Sequence, residues 1–197
     1  MSTAKLIPFK RVTGETAELS DEALVAACAT GDGAALGALF DRFNLAVYRF
    51  AGRLPTIDEA ARDDLVQTTF LEIQKFAHAF RGASTVRTWI LGIAANVARS
   101  QLRSEVRRRT RQSHFLDVSD STPLQIDERI DRKRLMAKIA DALAGLSRDH
   151  QIAFVLCDLE QLPGAETAKA LGIPEGTLWR RLHTARRAIR DAIGGDS

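Results

Sequence analysis

FRGASTVRTWILGIAANVARSQLRSEVRRR, residues 80–109, carries the features around which the rest of the chain is organised. An aromatic residue and a Gly-broken polar turn come first, then an apolar helical segment with Trp89 and Asn96, then a comb of arginines. From Arg99 to Arg111 the arginines are Arg99, Arg103, Arg107, Arg108, Arg109 and Arg111, set against the single acid Glu105. A phosphate backbone suits such a surface. So does water, because cations are favoured near a helix C-terminus and charge runs usually face solvent. On these residues alone the two readings stand level.

Composition narrows the setting. The 197 residues fit one domain or two small ones, and 45% hydrophobic with 27% charged residues is globular rather than disordered or membrane-embedded. Net charge is only +3 although the pI is about 9.1, so basic residues matter through clustering, which points to a polyanion. Cys28 and Cys157 are isolated, without C-x-x-C spacing or a nearby His pair. That argues against a zinc site and fits reduced, core-filling thiols in a cytoplasmic protein. No apolar run approaches the roughly 20 residues of a membrane helix, so no membrane insertion is expected. The first residues hold Lys5, Lys10 and Arg11 but no continuous apolar core, unlike a secretory signal.

In chain order, residues 1–19 read as a flexible polar arm. Ser20 is placed to cap a helix whose first turn holds Asp21 and Glu22. Gly31-Asp32-Gly33 breaks it near Thr30, and a second helix over 34–51 carries Leu36, Leu39, Phe40, Phe43, Val47 and Phe50 at helical spacing. After Leu54-Pro55-Thr56 a third helix is expected from about Ile57 to Phe76. Val66, Phe70, Ile73 and Ala77 give it a buried stripe, and Asp63, Gln67 and Gln74 an opposite polar face. Alone, that face is a solvated surface or a docking surface. Residues 111–128 lose periodicity, gather Ser, Thr, Asp and Pro123, and read as a linker between two domains of foldable size.

Beyond the linker, residues 129–143 predict an amphipathic helix with Ile130, Leu135, Ile139 and Leu143 turned inward. A second helix holds Ile152, Val155 and Leu156. Then come a turn at Gln161-Leu162-Pro163-Gly164, a short helix over 165–171, a tight Gly172-Ile173-Pro174 connection and a longer helix from Glu175 to about Ile193. Short helix, Gly-containing turn and longer basic helix make a helix-turn-helix. At about 100° per residue, Leu178, Leu182, Ala185 and Ile189 fall on one stripe, and Arg180, His183, Arg187 and Arg190 on the other side. Arg180 is the candidate for bidentate guanine contact, with Trp179, His183 and Thr184 adding base or sugar contacts. Arg181, Arg186 and Arg187 suit phosphate.

DDLVQTTFLEI (63–73), FRGASTVRTWILGIAANVARSQLR (80–103) and the helix-turn-helix together resemble the extracytoplasmic-function sigma factors of bacterial RNA polymerase. Their region 2 carries D-L-V-Q-x-x-F and then F-R-G-x-S-x-x-x-T-W-L-x-x-I-A-x-N. Region 4 carries G-x-x-x-x-E-I-A-x-x-L-G-I-P-x-G-T-V-K-S-R-L-x-R-A-R, matched here at Ala168, Leu171, Gly172, Ile173, Pro174, Gly176, Thr177, Arg181, Leu182, Ala185 and Arg186. The chain departs at Glu166-Thr167, where Glu-Ile is usual, at Trp179-Arg180 and at Thr184, and has Thr68 and Ser100 where Glu and Asp are frequent. Three of these departures lie on the presumed DNA face.

The resemblance implies an all-α protein with two helical domains joined by a flexible linker: region 2 over 20–110 and region 4 over 129–197. It implies docking on the β′ and β subunits of core polymerase through Asp63, Asp64, Leu65 and Gln67. Arg81, Ser84, Thr85, Trp89, Asn96, Arg99 and Arg103 would read and melt the −10 element of promoter DNA. A flipped base needs a pocket with hydrogen-bond partners and a flat wall, and the separated strand needs positive charge beside it. Thr177, Trp179, Arg180, Arg181, His183, Thr184 and Arg187 would read the −35 element. An anti-sigma partner, a cytoplasmic location, no cofactor, no metal and no covalent catalysis complete the expectation. Two other classes compete. One is an autonomous helix-turn-helix regulator that binds duplex DNA without polymerase. The other is a serine recombinase, which needs a nucleophilic Ser on a sheet-containing domain, whereas Ser84 and Ser100 lie in helical surroundings.

Overall fold

The computed structural model describes residues 18–109 and 128–194, with side chains described for 18–100, 135 and 137–194. The expected arm over 1–19, apart from Glu18 and Leu19, and the expected linker over 111–128, apart from Glu128, lie outside the described residues. The regular elements are helices α1 (Asp21–Ala29), α2 (Gly33–Gly52), α3 (Glu59–Phe76), α4 (Val86–Arg109), α5 (Glu128–Ala144), α6 (Arg148–Phe154), α7 (Gly164–Leu171) and α8 (Glu175–Gly194).

Helix starts follow local chemistry. Ser20 Oγ accepts from the Ala23 amide at 3.2 Å, Asp32 from Ala34 at 2.8 Å and Asp58 from Ala61 at 2.8 Å. Each satisfies an amide that the first helical turn leaves without an intrahelical partner. Asp58 also sets the start of α3 two residues later than the apolar pattern predicts. At the far end of α7, Gly172 takes φ +64°, a left-handed conformation that costs glycine little.

Helices α1 to α4 pack as one bundle around Leu24, Leu39, Phe50, Phe70, Ile73, Ile90 and Leu91, all fully buried. Phe40 meets Phe70 edge-on at 4.9 Å between ring centroids. Each such side chain removed from water contributes roughly 1.5–3 kcal/mol. In the second unit, α5 and α6 pack on α8, where Leu143, Phe154, Leu182, Ala185 and Ile189 form a smaller cluster.

One expectation about packing is corrected. Leu135 is 37% exposed rather than inward; among the described residues, α5 joins the cluster on α8 through Ile139, Ala142 and Leu143. The side chain of Ile130 lies outside the described residues. Ile152, Val155 and Leu156 are buried as expected, and after α6 residues Val155–Leu159 widen into a π-helical turn, with Gln161 following at φ +55°. Such single π-turns often sit at functional positions.

The two units touch. Helix α4 packs on α7, and Ile152, Leu156, Leu162, Ala168, Leu171 and Leu178 belong to the same buried cluster as the four-helix bundle. Gly92 permits this approach: a Cβ there would lie 2.7 Å from Ala170 Cβ and 2.9 Å from its carbonyl oxygen.

Candidate nucleic-acid interface

The recognition-type helix α8 is amphipathic as its sequence dictates. Leu178, Leu182 and Ala185 are at most 1% exposed and Ile189 is buried, while Trp179, Arg180, His183, Thr184, Arg187 and Arg190 face outward. Arg180 Nη2 donates to Thr177 Oγ1 at 3.3 Å and so is held near the helix start. Thr184 Oγ1 bonds back to the Arg180 carbonyl at 3.1 Å. Trp179 Nε1 donates to Glu175 Oε1 at 3.0 Å, and its ring lies against Gly164, where a Cβ would come within 2.5 Å of it. Residue 164 is therefore a glycine because the indole fills the space of a side chain.

Three other α8 arginines, Arg181, Arg186 and Arg187, have carboxylates near them. Arg186 makes a two-pronged contact with Asp158, at 2.9 and 2.6 Å, which also raises its pKa. Asp158 sits on the π-turn, so the widened helix places this carboxylate opposite α8. Arg181 Nη2 lies 2.5 Å from Asp149 Oδ2, and Arg187 only 3.7 Å from Asp191 on an exposed face. Thr167, which stands in place of the usual isoleucine, is fully buried with its hydroxyl bonded to the Pro163 carbonyl at 2.9 Å. That bond satisfies the polar group that burial would otherwise penalise.

In the first unit, the loop before α4 is exposed at Arg81, Gly82, Ala83 and Thr85, and Gly82 turns it with φ +66°. Arg81 Nη1 donates to the His78 carbonyl at 2.6 Å. Thr85 opens α4: its Oγ1 accepts from the Thr88 amide at 3.2 Å, and its carbonyl accepts from Trp89 N at 3.0 Å. Ser84 Oγ donates to the Thr85 carbonyl at 3.2 Å. Phe80, next to the loop, and Trp89 tilt together at 5.2 Å between ring centroids. Asn96 is exposed one face along, where its Oδ1 accepts from Arg99 Nη1 at 2.9 Å. Arg103 lies on α4, and its side chain is outside the described residues.

A groove of about 550 Å³ joins residues assigned to different partners. Asp64 and Thr68 line one wall, Trp89, Ile93, Asn96 and Ser100 the other, and Phe76 and Ala170 close it. Asp63, Asp64 and Gln67 are exposed on α3 beside it. Leu65 is not: it is fully buried, because its position on α3 points into the bundle, and it supports the face from beneath rather than contacting a partner.

The sequence reading missed a set of cross-unit contacts. Glu160, its side chain 6% exposed, pairs with both Arg53 and Arg87. Arg99 Nε donates to Asp149 Oδ1 at 2.8 Å, and the Thr85 amide to Glu166 Oε2 at 3.2 Å. These partners are 50 to 107 positions apart in sequence, and no local signal marks them. Burial raises both thiols, Cys28 to about 11, so neither is an exposed nucleophile. Among the described residues no group of three or more His, Cys, Asp or Glu side chains is placed to hold a metal, and no helix is long and apolar enough to cross a membrane.

Comparison with known proteins gives this geometry a setting. The family model for sigma-70 region 2 matches residues 39–108, and that for sigma-70 region 4 matches 136–189. The chain is 34% identical over 173 residues to the ECF RNA polymerase sigma factor SigL of Mycobacterium tuberculosis, covering 85% of this chain and 94% of that one. It is 26% identical to the ECF RNA polymerase sigma-E factor of Haemophilus influenzae, over 89% and 96% of the two chains. In fold it is similar to CnrH, solved in complex with the cytosolic domain of CnrY, with a TM-score of 0.62, 24% identity and coverage of 90% and 99%. It is also similar to the sigma factor RpoE of Bartonella quintana, solved with the anti-sigma factor NepR, with a TM-score of 0.62, 23% identity and coverage of 80% and 96%. With both sigma-70 regions present in order and a relative this similar along almost its whole length, the chain belongs to the extracytoplasmic-function sigma factors of the sigma-70 family, which direct bacterial core RNA polymerase to promoters.

Proposed function

We propose a division of labour along the chain, in which residues 129–197 read the upstream −35 duplex and residues 20–110 dock core polymerase and open the −10 element. The observation that carries it is the pair of separate DNA-suited surfaces: the outward face of α8, and the loop at 81–85 next to the paired Phe80 and Trp89. On α8, Arg180 reads one guanine through O6 and N7, with Thr177, Trp179, His183 and Thr184 adding base or sugar contacts, and Arg187 and Arg181 hold phosphate. An autonomous regulator that works without polymerase is not favoured, because both halves of the chain match sigma-factor models.

Opening a duplex replaces stacking and pairing with protein contacts. In our reading the exposed loop from Arg81 through Ser84 to Thr85 receives the flipped base, and Phe80 with Trp89 supplies its flat wall. Asn96 adds a polar edge, and Arg99 and Arg103 hold the separated strand. Asp63, Asp64 and Gln67, which border the groove on α3, meet the polymerase β′ subunit. Leu65 is left out as core. The work is binding, with no covalent step, and it takes place in the cytoplasm where polymerase is. An anti-sigma partner belongs to this reading, since the sigma factor RpoE of Bartonella quintana, of the same fold, was solved with the anti-sigma factor NepR.

A promoter duplex carrying 2-aminopurine in the −10 element tests the melting assignment. Core enzyme with this chain should raise its fluorescence, and Arg99→Ala with Thr85→Ala should lower that rise while upstream footprinting persists. An unchanged rise removes the first unit's role in opening. Replacing Asp64 and Gln67 together should reduce co-purification with core polymerase at unchanged helix content; undiminished co-purification removes the docking assignment.

A further inference from the structure

Trp179 stands on α8 where the region 4 pattern has Lys, and its indole is fixed at two points. Nε1, the one hydrogen-bonding atom of the side chain, donates to Glu175 Oε1 at 3.0 Å one turn earlier. The six-membered ring lies on Gly164 at the start of α7, where a Cβ would come within 2.5 Å of Cζ2 and 2.9 Å of Cη2. Yet the residue is 44% exposed, on the same outward face as Arg180, His183 and Thr184. What its side chain offers a partner is therefore a flat hydrocarbon surface with its donor already occupied. Because the ring is held in advance, packing against it costs little further side-chain entropy.

We propose that Trp179 is a specificity-determining residue of the upstream contact: its clamped indole reads the 5-methyl group of one thymine in the major groove, with Glu175 and Gly164 as its positioning residues. The inference rests on the reading of α8 as the helix that enters the −35 duplex. Three observations select this contact among those open to an indole on DNA. A hydrogen bond to phosphate needs the Nε1 hydrogen, and Glu175 holds it. The Glu175 carboxylate at that corner also repels a phosphate oxygen, whereas base edges carry no formal charge. Trp179 lies four residues after Glu175, which opens α8, in the part of a recognition helix that meets base edges. Among those edges thymine alone presents a methyl group in the major groove, and apolar side chains contact it. Arg180, held by Thr177 at 3.3 Å, supplies the hydrogen-bonding half of the reading, and Trp179 the apolar half.

Core polymerase carrying this chain is the reagent for the test. A promoter duplex is selected for binding from a pool randomised across the upstream element, and each thymine of that element is then exchanged for deoxyuridine, which deletes the methyl and leaves base pairing unchanged. With the parent chain, one exchange should weaken binding about fourfold, the cost of leaving a methyl-sized apolar group in water. With Trp179→Ala, thymine and deoxyuridine at that position should bind alike. Gly164→Ala, whose Cβ displaces the ring, and Glu175→Ala, which frees Nε1, should each shrink the methyl effect, and Glu175→Gln, which keeps the acceptor, should restore it. A merely structural role of residues 164 and 175 changes stability and leaves the methyl effect alone. The proposal is overturned if no exchange weakens binding by the parent chain, if the effect persists in Trp179→Ala, or if both Gly164→Ala and Glu175→Ala leave it whole. Arg180→Ala on single-base variants of the same duplex separates two failures. If it keeps every discrimination, the reading of α8 has failed and the proposal with it; if it loses one guanine position while every deoxyuridine exchange is silent in the parent, the proposal alone has failed.

Discussion

Helix α8 and the segment from Phe80 through α4 are both arginine-bearing surfaces suited to nucleic acid, yet they differ in what their charges already touch. On α8, Arg180, His183, Arg187 and Arg190 stand outward on a regular amphipathic helix, with the apolar stripe beneath them fully formed. Along α4, Arg87 and Arg99 are turned to carboxylates of the other unit, and Trp89 and Asn96 line a groove shared with α3. A recognition helix needs only to be exposed and aimed at a groove of DNA. A surface that melts DNA must hold polar and aromatic groups ready for a base not yet flipped, and here those groups have protein partners in its absence. On the proposed assignments, the difference teaches that one surface is a fixed reader and the other is assembled in context.

The largest expected effect breaks the comparison at its base. Phe70→Ala deletes a fully buried ring packed on Phe40, and should cost about 3–5 kcal/mol of stability. Urea unfolding followed by circular dichroism would read it, and a loss under 1 kcal/mol would mean that the four-helix bundle is not the core of the first unit. Next, Arg180→Ala sharpens the fixed-reader half: discrimination should fall by about 1–3 kcal/mol at one base position of the upstream element, measured on single-base promoter variants. Equal weakening on every sequence would mark Arg180 as a phosphate contact. Arg187→Ala should weaken all sequences alike and reduce the salt slope by about one; a change confined to one sequence would contradict the phosphate role.

How far these regions were legible beforehand follows the same division. The stripe Leu178, Leu182, Ala185 and Ile189 could be read because helical period alone decides which face is buried. Ser20 could be read because capping is local chemistry. Leu135 stands 37% exposed although it falls on the apolar stripe of α5, because helical period fixes a face and not the partner that covers it. Leu65 shares a motif with exposed Asp63, Asp64 and Gln67 but is itself buried, and the resemblance alone does not separate the contacts of α3 from its core. Asp149, Glu160 and Glu166 carried no signal, since a single chain does not reveal which distant arginine a surface acid will meet. The π-turn at 155–159, which aims Asp158 at Arg186, has no periodic signature either.

Two smaller effects complete the series. Thr85→Ala removes the hydroxyl that accepts the Thr88 amide, and should cost about 1 kcal/mol through loss of a helix cap, visible as a lower thermal midpoint. Cys28 gives a pH effect of fixed sign. Burial first, and Asp32 second, raise its pKa from 9.0 to about 11, so folding favours the neutral thiol. Its contribution is whole below pH 9 and is lost as pH climbs toward 11. Cys28→Ser should flatten that part of the stability profile, and an unaltered profile would assign the loss to other groups.

Run-off transcription tests the division of labour most directly. Purified chain and core RNA polymerase should together yield transcripts from a matching promoter that neither makes alone. Arg180→Ala should restrict the loss to promoters that depend on one upstream base pair, and Arg99→Ala should reduce transcripts from every duplex promoter, and much less from one pre-melted at the −10 element. Transcripts lost equally from the duplex and the pre-melted promoter in Arg99→Ala would contradict the assignment of the first surface to DNA opening.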